Sequence, residues 1–158
     1  TVKPLLYSLS GKHEEAELMF LEMLDKEPGE NTTLFMLGMV YTMRKEYDKA
    51  INALLQRSVG QKTNWLLAFN YAKTNQIEKG KEILEYLIKI PDDRSPPKTM
   101  MAITYLGFDE YDKAIDYIEK GFETNDLWFI WIDQSWSDPI KDNPRYKRIM
   151  EAYQKKIN

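Results

Sequence analysis

This chain of 158 residues offers side-chain chemistry one histidine, no cysteine and a scatter of carboxylates. His13 stands beside Glu14 and Glu15, and a single imidazole builds neither a catalytic dyad nor a histidine metal cluster. It reads as an exposed residue at a helix start, where the neighbouring acids favour the helix dipole. The pair Asp92 and Asp93, and the acids Asp133, Asp138 and Asp142, match neither the spacing of an EF-hand loop nor a fixed catalytic pair, so loop and capping roles are expected. Asn31-Thr32-Thr33 fits a glycosylation acceptor, but without a signal peptide Asn31 reads as a helix cap. The absence of cysteine excludes disulfides, thiolate metal sites and cysteine nucleophiles, and there is no glycine-rich phosphate loop. The expectation is therefore no catalytic residue, no metal, no cofactor and no enzyme activity.

If the side chains do not react, the elements that carry them must supply the function. A hydrophobic content of 43% suffices for one ordinary core, and the charged 30% mixes both signs to a net charge of -3. No basic stripe draws nucleic acid, so no direct nucleic-acid partner is expected. No apolar run approaches the roughly 18 to 20 residues that span a bilayer, and the N-terminus lacks the long apolar centre of a signal peptide. The chain is expected to be soluble and cytoplasmic, with no membrane partner. It begins without Met in a helical pattern, as a piece of a longer protein would.

The hexapeptide EYDKAI occurs twice, from Glu46 and from Glu110, and belongs to a longer period. Tyr7, Tyr41, Tyr71 and Tyr105 are spaced by 34, 30 and 34 residues, and nine residues after each comes a small residue: Ala16, Ala50, Gly80 and Ala114. One bulky and one tiny position per unit of about 34 residues is the signature of a helical-hairpin repeat, because close helix crossings admit only small side chains. Leu37-Gly38, Leu67-Ala68 and Met101-Ala102 supply a large-small pair on each first helix, and Phe20, Leu54, Leu84 and Ile118 share the small residue's helical face and point into the core. The spacing of 30 removes about one helical turn from the second repeat, whose second helix should end near Arg57 with Ser58–Gln61 as the connection. Pro28-Gly29 and the stretch from Pro91 to Pro97 mark loops.

These positions resemble the tetratricopeptide repeat family over nearly the whole chain. The best unit, LFMLGMVYTMRKEYDKAINALL, carries Leu34, Leu37, Gly38, Tyr41, Ala50 and Leu54 in the family's order. Pro28 fits the family's terminal proline, whereas Gly80 stands where alanine is usual and Asn64 where a large apolar residue is common. The resemblance implies an all-α, right-handed superhelical solenoid of about four helix pairs (1–30, 31–60, 61–94 and 95–126), closed by an aromatic cap and final helix at 127–158. The tail, GFETNDLWFIWIDQSWSDPIKDNPRYKRIMEAY, is similar to the closing segment of such domains in bacterial multidomain regulators, including class III adenylate cyclases and winged-helix transcriptional regulators. Asp138-Pro139 and Asn143-Pro144 match two turns of that segment, and Arg145-Tyr146 the pair that follows. That likeness implies a scaffold or sensor module attached to a separate output domain. Locally, Asp142 or Asn143 can cap a helix with Pro144 in its first turn and Tyr146, Ile149, Met150 and Tyr153 on one face.

Stacked helix pairs curve and leave a groove lined by one set of first-helix positions. Here these are Phe35, Met36, Met39 and Met43, then Trp65, Leu66 and Phe69, then Met100, Ile103 and Leu106. So apolar a groove suits a peptide or helix of a partner, and methionine suits an adaptable site. Alternatively the tail, through Trp128, Trp131 and Trp136, or another domain of the same polypeptide covers it. Some members of the family grip a C-terminal carboxylate with Lys, Asn and Arg in the groove. Met36 and Leu66 fall where those donors are needed, and Lys62 and Lys73 read as solvated surface lysines, with contact to an acidic partner as the alternative.

Overall fold

The computed structural model describes residues 2–60, 64–91 and 93–157; Lys62 and Asp92 lie outside them. Among the described residues the chain is all-helical, without a strand. Its α-helices are α1 (Val2–Leu9), α2 (His13–Lys26), α3 (Asn31–Met43), α4 (Tyr47–Leu55), α5 (Trp65–Lys73), α6 (Ile77–Lys89), α7 (Lys98–Gly107), α8 (Tyr111–Glu123) and α9 (Pro144–Ile157). Two short 3-10 helices, Phe129–Trp131 and Ser135–Ile140, lie between α8 and α9. Helices pack against their neighbours in the chain, α1 on α2, α3 on α4, α5 on α6 and α7 on α8, while α5 also packs on α7 and touches α3.

The same turn follows each of the four repeat tyrosines. Gly11, Lys45, Asn75 and Asp109 all take a left-handed backbone, with φ of 78, 62, 59 and 59°. In each case the next residue donates its N–H back to the tyrosine carbonyl: Lys12 to Tyr7 (2.9 Å), Glu46 to Tyr41 (2.8 Å), Gln76 to Tyr71 (3.1 Å) and Glu110 to Tyr105 (3.1 Å). Such a closure satisfies carbonyls that a helix end leaves open, and short polar side chains tolerate it at two of the three non-glycine positions. It reverses the chain so that the second helix lies back on the first.

The small residues sit where the crossings are tightest. Ala16, Ala50 and Ala114 are fully buried, and Gly80 is buried. A Cβ at Gly80 would lie 2.9 Å from the Ala68 carbonyl oxygen, and one at Gly107 would lie 2.8 Å from Phe69 Cα. Phe20, Leu54, Leu84 and Ile118 are all buried in one continuous apolar cluster. α4 has 9 residues where α6 and α8 have 13, a shortening of four that equals the difference between the periods of 34 and 30. It stops at Leu55, two residues before Arg57.

Several helix ends depart from the sequence reading. Asn31 is not the cap of α3 but its first residue; the cap is Glu30, whose carboxylate accepts from the N–H groups of Thr32 (2.9 Å) and Thr33 (2.6 Å) and from the Thr33 hydroxyl (2.7 Å). These donors hold the Glu30 carboxyl down at about 2. Asn31 instead ties down the end of the shortened α4: its side chain accepts from the Ser58 N–H at 2.9 Å, and its carbonyl accepts from Arg57 Nε at 3.0 Å. Asn64 earns its place as the cap of α5, accepting from the Leu67 N–H at 3.1 Å. Of the two candidates for α9, Asn143 is the cap, accepting from the Arg145 N–H at 2.9 Å with Pro144 as the first helical residue. Pro139 lies inside the 3-10 helix Ser135–Ile140, not in an open turn.

Candidate functional site

The face expected to form the groove runs along α3, α5 and α7. At the first-turn end Phe35 and Trp65 meet edge to face with centroids 5.9 Å apart, and the Arg57 guanidinium lies 5.1 Å over the Phe35 ring. Burial lowers the Arg57 pKa from its usual value. Thr104, on α7, donates to the Met100 carbonyl at 2.9 Å and also reaches the Trp65 carbonyl at 3.4 Å. Deeper, a buried polar pair joins α3 to α5: Asn70 Nδ2 donates to the Thr42 hydroxyl and to the Leu66 carbonyl, both at 2.8 Å, while Thr42 Oγ1 donates to the Gly38 carbonyl at 2.7 Å. Buried polar atoms so matched fix the register of two helices.

Of the ten residues named for the groove, seven are buried: Met39, Met43, Trp65, Leu66, Phe69, Ile103 and Leu106. Phe35, Met36 and Met100 are half-buried. The C-terminal segment explains much of the enclosure. The 3-10 helix Ser135–Ile140 packs on α7 and crosses to the end of α3, where the Ser135 hydroxyl donates to the Met43 carbonyl at 2.6 Å. Asp138 lies 3.4 Å from Lys45 Nζ and 2.8 Å from Lys141 Nζ, and these cations hold its carboxyl below the usual range. Trp131, Ile132, Trp136 and Ile140 are buried in the same cluster as the groove residues. Trp136 Nε1 donates to the Trp131 carbonyl at 2.9 Å, and the Ser137 hydroxyl to that of Ile132, so the segment satisfies its own polar groups as it enters the core. Trp128 behaves differently and stays partly exposed beside Leu127 and Ile130.

The lone cations and acids also find partners. Lys73 is not a solvated lysine: its Nζ lies 2.6 Å from Asp109, in the turn of the next helix pair, and 6.0 Å over the Phe69 ring. That hydrogen bond lowers the Asp109 pKa. His13 is half-buried, not exposed. Burial, then the nearby Arg44 cation, lowers its pKa, and its enclosed Nδ1 finds no hydrogen-bond partner among the described residues. Arg44 is held by Glu17 and, at 2.6 Å, by Glu46, and Glu17 also accepts from the Tyr41 hydroxyl at 3.0 Å. Burial and the Glu17 carboxylate push the Tyr41 phenol up to about 12.

Sequence reasoning missed the Thr42–Asn70 pair and Ser135. A signal existed for the first: Asn70 and Thr104 each precede a repeat tyrosine, polar residues in the heart of an apolar helix. Among the described residues no group of three or more His, Cys, Asp or Glu could hold a metal ion, and no helix is long and apolar enough to cross a membrane. No family model, curated protein or solved structure matches the chain.

Proposed function

We propose that the chain is a right-handed superhelical solenoid of tetratricopeptide type, that it works as a protein–protein interaction module without catalysis, and that it takes a peptide or helix of a partner on the face of its first helices. The recurrence of one left-handed turn and one tyrosine closure at four places supports the repeat. The observation that carries the binding role is the segment 131–140: a short, aromatic, non-α stretch lies across this face from α7 to α3. The face thus accommodates such chemistry, and Phe35, Met36 and Met100 beside it keep apolar surface within reach of a partner.

Display of random peptides against the full chain, followed by titration of those selected, tests this reading. Phe35→Ser with Met100→Ser should weaken the selected peptides at least tenfold, about 1.4 kcal/mol, with the circular dichroism unchanged. Equal affinity for parent and variant would overturn the assignment. Trp65 and Phe69 are unsuitable for this test because they are buried, and replacing either would cost about 3–5 kcal/mol of stability.

A second reading, regulation of an output domain in the same polypeptide, is favoured by one feature. Leu127, Trp128 and Ile130 leave apolar surface exposed after the last repeat, where a further domain could pack.

A further inference from the structure

The outer face of α8 shows what a second-helix surface of this chain can hold. Arg145 of α9 bridges Asp116 (2.7 Å) and Glu119 (2.5 Å), and further along Lys156 lies 5.5 Å over the Phe122 ring. The receptor is thus acid, acid and large apolar residue at i, i+3 and i+6, one stripe of a helix. α6 and α8 have equal lengths and are offset by 34 residues at both ends. Moving back by that offset, Asp116, Glu119 and Phe122 become Glu82, Glu85 and Ile88.

The pattern is repeated, but among the described residues nothing is seated on it. Glu82 and Glu85 are exposed, and among the described residues neither has an ion-pair partner; Lys81, four residues before Glu85, is paired with Glu78 at 2.8 Å. Ile88 is 54% exposed and leaves apolar surface beside the two carboxylates, as Phe122 does beside Asp116 and Glu119. We propose that this stripe of α6 is a docking surface for an arginine-bearing amphipathic helix of a partner protein, with the chemistry of α9. Arginine spans the two carboxylates, and a side chain about three turns further on, in the place of Lys156, lies over Ile88. The choice of a basic helix rests on the charge of the stripe and on the helix already seated on its counterpart, and it is independent of the groove.

The test uses the full chain and, as probe, a synthetic peptide with the sequence of residues 144–157, followed by amide chemical shifts. Saturable shifts at Glu82, Glu85 and Ile88 are expected, weakened at least tenfold by Glu82→Lys with Glu85→Lys and weakened again by raised salt. Shifts confined to α8, where the peptide would only compete with the resident α9, would overturn the proposal. So would the absence of saturation up to about 1 mM, or a dimer of the chain alone that depends on Glu82 and Glu85.

Discussion

Replacing Gly80 by alanine sets two calculable effects against each other. Three of the four repeats carry alanine at this position, and in an exposed helix the change from glycine would contribute about 1 kcal/mol of stability. In α6 the new methyl would lie 2.9 Å from the Ala68 carbonyl oxygen and 3.0 Å from the Phe108 ring. Backbone of a neighbouring helix cannot swing away as a side chain can, and overpacking of this kind costs about 1–3 kcal/mol. The contact wins: Gly80→Ala should lose about 1 kcal/mol net, or about 2–4 °C in Tm for a chain of this size. Gly107→Ala should be worse, since its methyl would press on Phe69 Cα itself at 2.8 Å. Gly121→Ala is the control: its methyl would come nearest to the Thr99 hydroxyl at 3.2 Å and meet Thr99 N and Asp126 Cβ at ordinary distances of 3.6 and 3.7 Å, so the helix-propensity gain should make it neutral or stabilising. Urea unfolding of the three variants measures the order. A Gly80→Ala chain more stable than the parent, or a Gly121→Ala chain less stable than Gly80→Ala, would refute the claim that close backbone approach dictates glycine here.

Three further outcomes are expected. Because the folded chain lowers the His13 pKa below 6.5, the unfolded chain takes up the proton first, so stability should fall as pH drops from 7 towards 5; His13→Gln should flatten that part of the profile of Tm against pH. Glu30 has the opposite charge type with a depressed pKa: its cap is intact above the unfolded value near 4.5 and is lost as pH falls through about 2. Glu30→Ala should therefore cost about 1 kcal/mol near neutrality, and the gap to the parent should close in acid, as read by urea unfolding at both ends of that range. Trp136→Ala removes a ring that is 5% exposed together with its bond to the Trp131 carbonyl and should cost about 3–5 kcal/mol, seen as a large drop in the urea midpoint.

Much of the helical framework was legible because its constraints are local or periodic. A tyrosine followed nine residues later by a small residue marks a turn and a crossing, and the missing four residues of the second repeat appear one for one in α4. Ends were less legible. Glutamate is a weaker signal for a helix cap than asparagine, so Glu30 was passed over for Asn31; only the structure shows that Asn31 is needed to fasten Ser58 and Arg57. The state of the face along α3, α5 and α7 could not be read from sequence, because the same run of Met, Trp and Phe serves equally as floor of a groove and as core. What decides between them is a contact across more than ninety residues, Ser135 on Met43, and no periodicity encodes that.

That contact also constrains how the face can be used. Trp131, Ile132, Trp136 and Ile140 are each 5% exposed or less. At about 1.5–3 kcal/mol for each fully buried large side chain, the segment contributes on the order of 6–12 kcal/mol, an upper bound because a compact unfolded chain already covers part of that surface. A whole domain is stable by only about 5–15 kcal/mol. A segment with so large a share is structural, and a peptide that displaced it would have to replace nearly all of that burial while also offsetting the entropy of its own association. A partner therefore gains most by adding to the surface beside the segment, at Phe35, Met36 and Met100, and loses by competing with it. The prediction that separates these modes is kinetic. If partners add beside the segment, association should be a single bimolecular step whose rate rises linearly with peptide concentration while the buried Trp136 fluorescence stays unchanged. A rate that saturates with concentration, accompanied by a red shift of that tryptophan, would mean that the segment leaves first and that its burial is worth far less than its exposure values imply.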